Sequence, residues 1–220
     1  MIDAWLGMDN PEPLNLYDGI VDKLTVNMRL SIIDTSQPEP EDWVLQTVRH
    51  SSIAPRLLNL NALFKGGRLG DFKDQGYLAQ AVFPQYKMAL EKRQPIMDVV
   101  QTRLVGVKIT YDRIILPEKG VPSPSWLVIC TFGRFMATTP AQQLNLDDTD
   151  VSIVLHLMAG ETAKEIAHQM DMSPRTVEHR LERLRKQVGA RSLSHLVTML
   201  IADGFDRRLN FVSTTAPLKT

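Results

Sequence analysis

The chain is short of several things, and each shortage removes a class of protein. Of its 220 residues one is cysteine, Cys130, so no internal disulfide can form and the usage is that of a reducing compartment. Its apolar runs, such as 126–130, stop far short of the roughly 20 residues that cross a bilayer. The start carries Asp3, Asp9 and Glu12 with no early lysine or arginine, whereas a signal peptide begins basic. Excess charge of one sign is missing too: Lys plus Arg and Asp plus Glu stand at 25 each, so the whole chain exerts no pull toward nucleic acid. The expectation is a cytoplasmic protein with no membrane partner.

What is present is ordinary globular material, 44% hydrophobic and 23% charged. A length of 220 residues suits two small domains. In the segment 1–24, Leu14, Leu16, Tyr17, Ile20, Val21 and Leu24 are spaced like one face of a helix, which predicts a helical extension. Leu24, Val26, Met28, Leu30 and Ile32 then alternate with Thr25, Asn27, Arg29 and Ser31, the period of a half-buried strand with its polar residues outward. A Pro-rich turn at 37–41 and the run 43–50 complete a hairpin. Between Pro55 and Gln94 the pattern is helical, broken by Gly66, Gly67, Gly70 and Gly76. Strands return from 96 to 135: Val105, Val107, Ile109 and Tyr111 alternate, 117–124 turns, and Trp126, Val128, Cys130 and Phe132 share a face. The stretch 137–145 reads as a linker and 205–220 as a flexible tail.

Four helices are predicted over 146–204. The first runs from Asp148 to Met158. Thr162 followed by Glu165 makes a capping box for the second, which ends near Met170. Ser173 caps the third, with Pro174 at its first position, and Gly189 stops it. The fourth spans 192–202. A short helix, a tight turn at Asp171 and Met172, and a longer basic helix meet the geometric need of DNA reading, in which one helix braces on the backbone and the next enters the major groove. Ile166, Ala167 and Met170 face Val177, Leu181, Leu184 and Val188, which leaves Arg175, Glu178, His179, Glu182, Arg183 and Lys186 outward. Between 175 and 191, Arg175, Arg180, Arg183, Arg185, Lys186 and Arg191 stand against Glu178 and Glu182, a local excess suited to phosphates.

Gly160, Thr162, Lys164-Glu165-Ile166-Ala167, Ser173, Thr176-Val177 and Gly189 resemble the LuxR-type (GerE-like) helix-turn-helix. The resemblance implies double-stranded DNA as partner, bound as a homodimer on paired half-sites. Lys164, Ser173, Arg175, Thr176, Glu178, His179, Arg180, Glu182, Arg183 and Lys186 are the candidate DNA-binding residues. Leu196, Val197, Leu200 and Ile201 form the dimer stripe by resemblance, with membership of the core as the competing reading. Departures stand out: the opening Leu-Thr-x-Arg-Glu pattern is reduced to Leu146 and the acid Asp150, without its arginine, and Glu178 and Glu182 occupy places where basic residues are frequent. Glu178 either accepts from cytosine N4 or pairs within its own helix. The strand order over 25–136, with the segment 111–117, resembles the PAS sensory fold, an antiparallel sheet with helices. That resemblance implies a sensor for a small molecule or a regulatory protein.

No catalytic residue, metal ligand or cofactor is assigned. The histidines His50, His156, His168 and His195 lack partners at metal spacing, and there is no nucleophile elbow or phosphate loop. Cys130 sits mid-strand, outside any flavin-adduct context. The expected function is a transcriptional regulator whose DNA binding is modulated by its sensor. The alternative is an antiactivator that captures another regulator and does not bind DNA, with Glu178 and Glu182 as the reason.

Overall fold

Alternating apolar residues in the first half of the chain build one sheet. The structure, a computed structural model, describes residues 1–52, 56–140 and 144–205. The chain divides after Met136 into two units. In the first, strands β1 (Met28–Asp34), β2 (Val44–Arg49), β3 (Gly67–Arg68), β4 (Ile96–Leu104), β5 (Val107–Pro117) and β6 (Trp126–Thr138) lie in the order β3-β2-β1-β6-β5-β4. The first long strand and the last are therefore neighbours, antiparallel, with Leu30 opposite Cys130 and Ile33 opposite Leu127.

Helical segments fill the crossover between β2 and β4. They are α3 (Leu60–Leu63), then α4 (Gln75–Tyr77), a π turn Leu78–Val82 and α5 (Phe83–Lys92), the last three running on without a break. Pro55, where the helical pattern was expected to begin, lies outside the described residues. The apolar side of this run, including Tyr77, Leu78, Phe83 and Tyr86, packs on one sheet face with Ile33, Ile109, Ile115 and Leu127. The opposite face is covered by α1 (Ile2–Gly7) and α2 (Pro13–Tyr17), whose Trp5 and Leu16 sit with Leu30, Leu116, Val128 and Cys130. Trp5 donates its indole N–H to Pro117 O at 2.7 Å, and Lys119 Nζ reaches the carbonyls of Trp5, Leu6 and Met8 at 3.2, 3.1 and 2.8 Å.

Covering both faces corrects the half-buried reading of β1. Arg29 and Ser31, taken as solvent-facing, are 7% and 5% exposed. The strand also begins at Met28 rather than at Leu24, because a 3-10 turn (Asp18–Lys23) and a tight turn closed by Met28 N–H to Thr25 O at 3.0 Å precede it. The single helix expected before it is two short helices and that turn. Val105 is not in a strand: with φ 49° beside Gly106 at φ 77° it forms the β4–β5 hairpin turn. The assigned linker starts too early, since Ala137 and Thr138 end β6; residues 141–143 lie outside the described residues.

The second unit carries α6 (Asp148–Met158), α7 (Ala163–Gln169), α8 (Pro174–Val188) and α9 (Leu193–Ala202). Asp147, Thr162, Ser173 and Ser192 each accept the backbone N–H three residues on, and each such cap contributes about 1 kcal/mol. Gly189 ends α8 at φ 71°, in the left-handed region glycine enters without strain. Only the first half of α8 faces α7, through Val177 and Leu181. At about 1.5 Å per residue the 7-residue α7 is too short to reach further along the 15-residue α8. Leu184 and Val188 pack instead with Val154, Leu196, Met199, Leu200 and Phe205, which corrects their assignment to the α7 contact. Phe205 is thereby part of the core and not of a tail; residues 206–220 lie outside the described residues. Among the described residues no helix is long and apolar enough to cross a membrane.

Candidate nucleic-acid interface

The exposed side of α8 is set by its caps and its apolar stripe. Ser173 Oγ accepts the N–H of Thr176 at 3.1 Å and shares a hydroxyl hydrogen bond with Thr176 Oγ1 at 2.7 Å, which fixes the first turn. With Val177, Leu181, Leu184 and Val188 buried, Ser173, Arg175, Thr176, Glu178, His179, Arg183 and Lys186 are exposed and Arg180 and Glu182 half-buried. Lys164 is exposed on α7, whose capping box is closed by Glu165 Oε2 accepting from Thr162 N at 2.7 Å. That bond, with the one from the Thr162 hydroxyl, holds the Glu165 carboxyl below its ordinary value.

Ser173, Arg175, Thr176, His179, Arg180 and Arg183 line one open groove of about 480 Å³. Asp147 lines it too, a residue absent from the sequence-derived set. Lys164, Glu178, Glu182 and Lys186 lie outside that groove. Asp147 and Asp150 form a capping box at the start of α6, with Asp150 N–H on Asp147 Oδ1 at 2.7 Å. The same two carboxylates meet α8: Arg180 Nη1 lies 2.8 Å from both Asp147 Oδ2 and Asp150 Oδ1, and Arg183 pairs with Asp150 Oδ2. Asp150 is 1% exposed, so it is a buried anion balanced by two cations. The hydrogen bond from Arg180 holds the Asp147 carboxyl below its ordinary value and in return raises Arg180. The acid kept from the family's opening pattern, Asp150, thus clamps α8 to α6. The spacing Asp147-x-x-Asp150 was the signal available for it.

A second clamp lies along α8 itself. Glu182 receives Arg185 Nε and Nη2 at 2.7 Å each and Lys186 Nζ at 3.4 Å. The hydrogen bond to Arg185 pulls its carboxyl down to about 2. Of the six basic residues counted as a local excess, four are therefore ion-paired, and among the described residues Arg175 and Arg191 have no carboxylate partner. Glu178 pairs with no cation among the described residues, so the intrahelical option left open for it is not the one adopted.

Residues 145–200 match the luxR family of bacterial regulatory proteins, GerE. This segment is a LuxR-family helix-turn-helix domain. Over 65 residues the chain is 37% identical to the transcriptional regulatory protein FixJ of Rhizobium meliloti (strain 1021), covering 30% of this chain and 32% of that protein. The chain spans about a third of the length of that curated relative. Solved structures similar to it include a phage VqmA–DPO complex, at 17% identity and TM-score 0.37 over 93% of this chain and 91% of that one. A Vibrio cholerae VqmA dimer in the absence of target DNA has 17% identity and TM-score 0.29 over 86% and 88%. Escherichia coli SdiA has 14% identity and TM-score 0.27 over 93% and 95%.

In the LuxR-type domain the four stripe residues separate. Leu196 and Leu200 are 0% and 1% exposed inside the core, where their i, i+4 spacing meets Leu184 and Val154. Val197 is half-buried and Ile201 exposed, with Leu193 one turn before Val197 also exposed. Leu196 and Leu200 are accordingly withdrawn from the dimer stripe.

The sheet domain holds a separate cavity of about 100 Å³ between the helical run and the sheet. Apolar residues from both, such as Ile33, Leu78 and Ile129, line it, together with Arg29, Tyr77 and Tyr111. Tyr77 and Tyr111 link hydroxyls at 2.7 Å. Sequence reasoning assigned no residue of this cavity.

Proposed function

We propose that the chain is a cytoplasmic transcriptional regulator that binds double-stranded DNA as a homodimer, through α8, under control of a PAS-like sensor formed by residues 25–136. The observation that carries the reading is the match of 145–200 to the LuxR family on a helix pair whose capped α8 presents Ser173, Arg175, Thr176 and His179 along one groove. The order β2-β1-β6-β5-β4, with a helical run in the β2–β4 crossover and a cavity beneath it, supports the sensor. Lys164 and Thr176 contact phosphates, and Glu178, His179 and Arg175 read base edges. Leu193, Val197 and Ile201, at i, i+4 and i+8 on α9, form the dimer surface. The sensor changes DNA affinity by favouring one of two states of the protein.

Selection of bound DNA from a random pool by the full chain, followed by titration against salt, tests this. Affinity falls steeply as salt rises. Lys164→Ala weakens all sequences alike, and His179→Ala changes the preferred base, at about 1–3 kcal/mol per lost base contact. A chain that retains no DNA at any salt is not a regulator of this kind. The paired state of Arg180, Arg183, Arg185 and Lys186 favours, in that event, the antiactivator reading.

A further inference from the structure

Two arginines are buried in the sheet domain, and only one has an anion. Arg113 gives Nε and Nη2 to the two oxygens of Asp98 at 3.0 and 2.6 Å, and Nη1 to Ala81 O at 2.6 Å. Burial by itself would pull its pKa down; the hydrogen bonds and charge of Asp98 more than offset that and hold it above the ordinary value. Arg29, the second residue of β1, donates only to neutral acceptors: Asn61 Oδ1 at 3.4 Å, Thr47 Oγ1 and Phe64 O. Among the described residues no carboxylate pairs with it. The ionisable groups that act on it are the phenols of Tyr86 and Tyr77, which burial keeps protonated. Its pKa accordingly falls to about 10, the mark of a cation whose desolvation is not compensated.

That cation lines the cavity. Its guanidinium lies over the Phe64 ring at 5.2 Å. The remaining wall is mostly apolar, and the linked hydroxyls of Tyr77 and Tyr111 use one of their two hydrogens on each other, which leaves the second to give away. A buried positive charge without a counter-ion is costly, and an anion entering from solution removes that cost at the moment of binding. The volume of about 100 Å³ is of the same order as the roughly 150 Å³ of a cavity that takes up benzene, so the occupant is a small molecule.

We infer that the sheet-domain cavity binds a small organic carboxylate, its anionic head paired with the Arg29 guanidinium and its apolar body among Phe64, Tyr77 and Tyr111. This rests on the reading of the sheet domain as a small-molecule sensor and names the chemistry of what it senses. Arg113 stays committed to Asp98. Selectivity follows from charge: an amide of the same shape leaves the Arg29 cation uncompensated, so acids bind and their amides do not.

The test uses the full chain with benzoate and hexanoate as probes, against benzamide and hexanamide, read by isothermal titration and thermal melting. At least one acid binds and raises the melting point, neither amide does, and Arg29→Met lowers acid affinity about tenfold or more. The unliganded Arg29→Met protein melts no lower than the original, because an uncompensated charge has been removed. Should that variant fail to fold, Arg29→Lys carries the test: it keeps the preference for acid over amide with weaker binding. No response to either acid, equal response to the amides, or an undiminished response in Arg29→Met overturns the assignment, and so does a lysine variant that treats acid and amide alike. DNA binding by the same preparations is measured separately. A chain that binds acid but no DNA loses the regulator role and keeps the site; one that binds DNA but no acid loses only the site.

Discussion

In the sheet domain two arginines lie inside the fold; in the helical domain four basic side chains of one helix lie at its surface, each closed by a carboxylate. Arg113 with Asp98 and Arg29 without any acid mark the first case. Arg180 and Arg183 on Asp147 and Asp150, and Arg185 and Lys186 on Glu182, mark the second. A charge inside is expensive unless paired, so its pairing decides stability, whereas a surface pair contributes little to stability and decides instead which cations remain available to a partner. The same residue type thus reports on folding in one unit and on recognition in the other.

The sharpest test of that contrast is Asp98→Ala. It leaves Arg113, 2% exposed, with only the Ala81 carbonyl, and is expected to cost about 3–5 kcal/mol. The three tryptophans, Trp5, Trp43 and Trp126, all belong to the sheet domain, so urea unfolding followed by their fluorescence reads this unit alone. Asp112→Ala, which removes the half-exposed partner of Arg134, is the matched surface control and should change little. If both cost the same, burial does not govern the difference.

Asp150→Ala stands between the two cases, because the carboxylate is buried and its arginines are not. Loss of its α6 capping bond and of two charged contacts should cost about 2 kcal/mol, read as a lower thermal midpoint in far-UV circular dichroism. It also frees Arg183, while Arg180 keeps Asp147, so DNA affinity should steepen in its dependence on salt. An unchanged slope would mean that the clamp and the phosphates do not compete.

The smallest effect is in acid. Glu182, drawn down to about 2 by Arg185, and Glu165 and Asp147, both lowered by their hydrogen bonds, bind protons less readily folded than unfolded. Their contribution is complete above the ordinary carboxylate values of 3.8 to 4.5 and disappears as pH falls toward about 2. Asp147 and Glu165 are exposed and Glu182 half-buried, so helix content should decline only gradually over that window. A sharp loss above pH 5 would point to other groups.

The helical domain was the more legible because its signals are local. Thr162 with Glu165, Ser173 with Pro174, and Gly189 each fix a helix end within four residues, and the start of α7 and both ends of α8 follow from them. Arg29 was misplaced for the opposite reason. Alternation in β1 says that its two faces differ, not that one is wet, and what covers each face comes from α1, more than 20 residues earlier, and from the crossover helices after β2. The pairing of Arg180 and Arg183 was hidden likewise: Asp147 and Asp150 lie some 30 residues away in sequence and meet α8 only in the folded domain.

The N-terminal cover over the outer sheet face gives the chain a built-in clock. Cys130 is the single thiol, sealed beneath Trp5 and Leu16, and burial raises its pKa. While α1 and α2 stay seated it is neither reachable nor appreciably a thiolate, so an alkylating reagent waits for them to lift. The rate of single-site labelling therefore counts openings of that one layer, held by the Trp5 indole on Pro117 and by Lys119 on three carbonyls, without any label having been engineered in.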